Sequence, residues 1–175
     1  GNSARALIDG EFTHASGQFS PILPLTQPLG EAQSTEYIAR GRLTLFGGST
    51  PNLLSVDGLG KNYPLQIDSA YFFHIMLIGK RTGATAGHEM GCYEIKGLAA
   101  GPSTAGTAAQ IFGPIMVNLV YRTPYFTAGA PNVNFTLGIG PGPGFPFLIS
   151  VYDNTPITPV ETRWVATVRL TKCLF

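Results

Sequence analysis

Three histidines and ten acidic side chains are the groups from which this 175-residue chain could assemble an active centre. His88 and Cys92 stand four apart, a spacing that would suit a metal site on a helix. On a strand the two share a face but lie about 13 Å apart. One metal ion holds its ligands near 2 Å and could not take both as neighbours. His14 and His74 sit in unrelated stretches. The sequence therefore predicts no bound metal. Glycoside hydrolysis needs two carboxylates facing each other across a sugar. The acids Asp57, Asp68, Glu89, Glu94, Asp153 and Glu161 are scattered, and Asp57 and Asp153 precede Gly58 and Asn154 in turn-like contexts. No Gly-x-Ser-x-Gly elbow marks a serine nucleophile. The glycine-rich run from Gly138 to Gly144 leads into a strand, whereas a phosphate cradle needs the N-terminus of a helix. Asn134, Phe135 and Thr136 match a glycosylation acceptor but fall inside a strand. The expectation is a non-enzymatic chain with no catalytic residues and no cofactor.

Binding chemistry is better represented. Saccharide sites on β-rich scaffolds often use exposed aromatic rings beside Asn, Asp or Arg, carried on variable loops over a rigid frame. Tyr121, Arg122, Tyr125 and Phe126 form the best such cluster. Tyr152, Asp153 and Asn154 form the second. The same rings could instead pack over the ends of the fold or between copies of the chain. A nucleic-acid groove would need clustered cations. Net charge is only +1. Arg40 and Arg42 stand two apart, and Lys80 and Lys96 are isolated, so no nucleic-acid partner is expected.

The elements that must carry these residues read as strands. Gly (22) and Pro (14) together favour turns over helix interiors, and no window shows helical spacing of apolar residues. Apolar and polar residues alternate along 36–46, 53–56, 86–98, 115–121, 133–139, 145–151 and 163–171. Within 65–80 both faces are apolar. Tyr71, Phe73, Ile75 and Leu77 fall on one and Phe72, Met76 and Ile78 on the other, which predicts burial on both sides. Trp164 alternates with Ala166 and Val168 and belongs to the core. Eight or so short strands with turns between them predict an all-β, jelly-roll-like β-sandwich.

A 44% hydrophobic content supports a sizeable core, while charged residues are only 12%, about half the usual share. So sparse a charge suits a surface partly covered by other copies. Cys92 and Cys173 are too few for a disulfide framework and read as free thiols. No apolar stretch has the length of a membrane helix, and no basic-then-apolar start suggests a signal peptide. Membrane insertion is not expected.

The N-terminal region differs from the rest. Gly10, Phe12 and Thr13 are answered seven residues later by Gly17, Phe19 and Ser20. Pro21, Pro24 and Pro28 mark 21–35 as an extended linker. The division expected is 1–20 as the end of a repeat-type shaft, 21–35 as a Pro-rich linker and 36–175 as a β-sandwich head.

Four separated segments resemble a known family. They are Asp68 to Phe73, Gly79 to Thr82, Tyr93 to Gly97 and, most specifically, Thr162-Arg-Trp-Val-Ala-Thr-Val-Arg-Leu-Thr171. Together they resemble the C-terminal β-rich head domain of phage tail-fibre and large-virus fibre proteins. The segment from Gly10 to Ser20 resembles the head repeats of trimeric autotransporter adhesins. The resemblance implies a homotrimeric fibre tip on the virion surface, made in the host cytoplasm, that binds a host-surface glycan or receptor. It is equally compatible with a domain that only drives trimerisation. A monomeric carbohydrate-binding module is the remaining alternative.

Overall fold

In the computed structural model, residues 11–17, 32–44, 52–57, 60–82, 89–102, 109–123, 133–140, 146–153 and 161–174 are described. Every regular element among them is a strand: β1 (Phe12–Gly17), β2 (Ala32–Thr44), β3 (Asn52–Leu54), β4 (Tyr63–Pro64), β5 (Ser69–Thr82), β6 (Met90–Ala100), β7 (Gln110–Arg122), β8 (Val133–Ile139), β9 (Pro146–Asp153) and β10 (Glu161–Leu174). All pairings are antiparallel. Six strands form one sheet in the order β1-β2-β10-β5-β6-β7. In the second sheet β9 is central, paired with β8, β3 and β4.

The core lies between the two sheets and follows from period-two alternation. Strand β10 pairs with β2 from Glu161↔Thr44 to Cys173↔Ala32 and with β5 from Glu161↔Thr82 to Leu174↔Ser69. Its even-numbered residues Trp164, Ala166, Val168 and Leu170 are buried, while Arg163, Val165 and Arg169 face out. Tyr71, Phe73, Ile75 and Leu77 of β5 join them, and Phe147, Ile149 and Val151 of β9 close over from the second sheet. Tyr37 and Tyr63 stack across the sheets with ring centroids 5.1 Å apart. Burial raises the pKa of both phenols well above the ordinary value, so the pair stays neutral. An all-β architecture of two antiparallel sheets around one core is thus present.

The expectation that β5 is buried on both faces differs from the structure. Phe72 and Ile78 are about half exposed, because no described element covers the outer face of the six-stranded sheet. The N-terminal region also differs from its sequence reading. β1 pairs with β2 from Phe12↔Glu36 to Gly17↔Ala32, and β2 begins inside the stretch assigned to a linker. The last proline of that stretch is Pro28, so nothing in residues 32–35 opposes strand pairing. The strand is hard to see in the sequence because its inward residues Gln33 and Thr35 are polar. Both are buried, and Gln33 donates to the Thr35 hydroxyl at 3.1 Å. The buried Lys172 ammonium donates to Gln66 Oε1 at 3.0 Å and lies 3.4 Å from Gln33 Oε1.

Gly97 shows how tightly β6 is held against the core. A Cβ there would run into the Phe73 ring, which is fully buried and cannot withdraw. Gly97→Ala is expected to destabilise the domain by about 1–3 kcal/mol through overpacking. A urea titration reads this as a lower midpoint at unchanged slope.

Candidate binding end of the sandwich

Four of the expected binding residues, Tyr121, Arg122, Tyr152 and Asp153, lie at strand ends on one end of the fold. At that end β2, β5, β7 and β9 finish and β3, β6, β8 and β10 begin. The register shows it: Glu161 lies opposite both Thr44 and Thr82, Lys80 opposite Met90, Gly91 opposite Arg122 and Val133 opposite Asp153. Asn52, opposite Val151, donates its side-chain amide to the Arg42 carbonyl at 2.5 Å and ties the second sheet to the first. Four connections, 45–51, 83–89, 124–132 and 154–160, therefore leave and return at this end.

Tyr121 and Arg122 lie here, at the end of β7, and both are exposed. Tyr121 stands on the outer face opposite Cys92. Arg122 is close enough to Tyr93 for its charge to oppose the rise that burial imposes on that phenol. Tyr152 and Asp153 end β9, paired through their backbones with Asn134 and Val133. Tyr125, Phe126 and Asn154 lie outside the described residues, as does His88. The ends of β7 and β9 thus place the described members of both clusters at one end of the described fold.

A second group at this end escaped the sequence reading. Arg163 on β10 lies directly opposite Arg42 on β2 and Lys80 on β5. Arg40 lies one outward position further down β2, opposite Val165. All four cations face out, and Arg42 and Arg163 have side-chain exposures of 64% and 67%. Between Arg40, Arg42, Arg163 and Val165 runs an open slot of about 300 Å³ floored by Gly41 and Trp164. Glu161 pairs with Arg42 and, at 2.5 Å, with Arg163. The hydrogen bond from Arg163 and the charges of both arginines hold its carboxyl below the ordinary range, against some desolvation. Lys80 is isolated along the chain and becomes part of a group only through cross-strand register.

Other charged groups at or near this end have structural explanations. Arg81 and Glu89 form a largely buried pair at 2.7 Å. His74 contacts Glu94 at 2.9 Å, and Lys96 reaches the same carboxylate at 2.8 Å. Among the described residues no group of three or more His, Cys, Asp or Glu could hold a metal ion. Neither Cys92 nor Cys173 is in a disulfide.

Comparison with known proteins finds no matching family model and no matching curated protein. Two solved structures are similar over most of the chain. One is the tailspike protein gp49 from Acinetobacter baumannii bacteriophage Fri1, a capsular polysaccharide depolymerase, at 16% identity and a TM-score of 0.35. The other is the tailspike protein of Acinetobacter baumannii phage AM24, at 10% identity and a TM-score of 0.39. The matches cover 87% and 81% of this chain but only 19% and 26% of those proteins. This chain therefore spans about a fifth to a quarter of the length of the tailspikes it matches.

Proposed function

We propose that the chain is a non-catalytic fibre-type head domain that works as a homotrimer at the surface of a virion and attaches it to a host-surface glycan or receptor. The attachment role rests on the four sequence segments that resemble fibre heads and on the placement of Tyr121, Arg122, Tyr152 and Asp153 at one end. The observation that carries the self-association is β7.

From Gln110 to Tyr121 this strand has no charged residue. It pairs only with β6 among the described strands. Its side chains are exposed on both faces: Met116 at 69%, Tyr121 at 56%, and Phe112, Val117, Leu119 and Val120 at about half. An edge strand of this kind normally carries charges that block pairing with other chains. Side chains of this size exposed to this extent leave about 500 Å² of apolar surface, at the upper end for a free monomer. A stable interface covers about 800 Å² on each partner. The apolar strand edge supplies most of that, and the sparse charge elsewhere is consistent with association. Three linked copies would multiply a weak contact at each tip.

Light scattering over a dilution series tests the assembly. The expected mass is near three times the 18.6 kDa of one chain. Replacing Met116 and Val120 with Lys, both exposed and outside the core, is expected to give a monomer with an unchanged strand signal in circular dichroism. A wild-type chain that is monomeric at every concentration would remove the trimer and leave a monomeric carbohydrate-binding module in its place.

A further inference from the structure

We infer that Arg42, Arg163 and Lys80, with Arg40 beside them, form a binding site for acidic saccharides bearing carboxylates. The inference rests on the attachment reading above and names the chemistry of its ligand.

The first argument is the cost of the arrangement. Adjacent strands stand about 4.8 Å apart, so Arg42, Arg163 and Lys80 form a row of three like charges about 10 Å long. Like charges directly opposite one another in a sheet are destabilising. Nothing in the fold requires cations at these outward positions, because the inward residues of the same strands supply the core. Glu161 offsets part of the repulsion by bridging Arg42 and Arg163. Neither Lys80 nor Arg40 forms an ion pair with a described carboxylate. Asp57 offers Arg40 only its carbonyl, at 3.5 Å, and its carboxylate accepts the Lys61 backbone N–H at 3.0 Å. In the sequence, segments 45–51, 83–88, 124–132 and 154–160 contain no Asp or Glu. Among the described side chains, the positive charge of Lys80 and Arg40 is thus left for an acidic ligand to offset.

The second argument is shape. The slot beside the row is open, and Gly41 contributes no side chain to its floor. Guanidinium groups line it, with Val165 at one side and Ile78 on the next strand. Planar guanidinium forks match a carboxylate through two parallel hydrogen bonds. The apolar patch offers a surface to the C–H face of a sugar ring. Glu161 already shows that this position accommodates a carboxylate between two arginines.

The length of the row favours a saccharide over nucleic acid. Nucleic-acid proteins neutralise about 6–10 phosphates along a track, whereas three cations in a row fit one or two acid groups. Strand β7 lies three strands from β10 in the sheet, about 14 Å. Assembly through that edge would leave the row open in each protomer.

Calorimetric titration of the whole chain with hyaluronate oligosaccharides, neutral dextran and a single-stranded DNA oligomer tests the site. Binding is expected for hyaluronate and not for dextran. Arg163→Gln should weaken it about tenfold, the loss of one charge-assisted fork. Arg169→Gln should leave it unchanged, although Arg169 lies on the same strand and face and pairs with Glu36 at 2.5 Å. Both arginines are exposed, so both variants should fold. Absence of hyaluronate binding, equal loss in the two variants, or tighter binding of DNA would each overturn the site. A trimer that binds only neutral glycans would sink this inference and leave the attachment reading standing. A monomer that binds no glycan would count against that reading itself.

Discussion

Trp164→Ala is expected to destabilise the domain by about 3–5 kcal/mol, at the upper end for a single core truncation. The indole is 1% exposed and stands on the central strand of the larger sheet. Its direct neighbours on both sides are glycines, Gly41 on β2 and Gly79 on β5. The next strand also places a glycine there, Gly91 opposite Gly79. None of these three glycines offers a side chain beside the ring, and Leu54 of β3 sits over Gly41. When it is removed, no side chain of that row can move in to fill the cavity. Trp164 is the only tryptophan, so tryptophan emission is lost with it. Circular dichroism in a urea titration at fixed protein concentration measures the change, since association also contributes to stability. Val165→Ala, one residue on and half exposed, should cost less than about 1 kcal/mol. Similar losses in the two variants would contradict the packing argument.

Glu89→Ala should cost about 3 kcal/mol, for a different reason. The Arg81 and Glu89 side chains are 6% and 12% exposed and meet at 2.7 Å. Their backbones are also joined, with the Arg81 N–H donating to the Glu89 carbonyl at 3.0 Å. Removing the carboxylate leaves a guanidinium in a largely dry place without its main counter-charge, and that desolvation is the larger part of the loss. Replacing both partners with apolar side chains, Arg81→Met with Glu89→Leu, should recover most of the stability, because no charge is then buried. A double variant as unstable as the single one would show that the pair does more than balance its own charges. The sequence groups Glu89 with scattered surface acids. Only pairing of β5 with the start of β6 gives it a buried partner.

These two cases mark where sequence information ends. Alternation is a local property of the chain, and it was readable wherever the inward residues were apolar. Trp164, Ala166 and Val168, and Tyr71, Phe73, Ile75 and Leu77, declare their buried face without reference to any other strand, and all are buried. The all-β class follows from the same pattern together with the density of glycine and proline. Where inward residues are polar, as at Gln33 and Thr35, the pattern was silent and the start of β2 lay inside a segment read as a linker.

Tertiary structure decided which strands are neighbours and in what register. That information is absent from any local window, because pairing joins residues separated by more than a hundred positions, such as Arg42 and Arg163. Register put three glycines in line with Trp164, and it set Lys80 beside two arginines. It also decided that no described element covers the outer faces of β5 and β10 and that β7 ends the described sheet. An apolar residue on a strand shows that it resists water. Whether an element covers it is decided by tertiary structure: the second sheet packs on the inner face of the first, and no described element lies over the outer face.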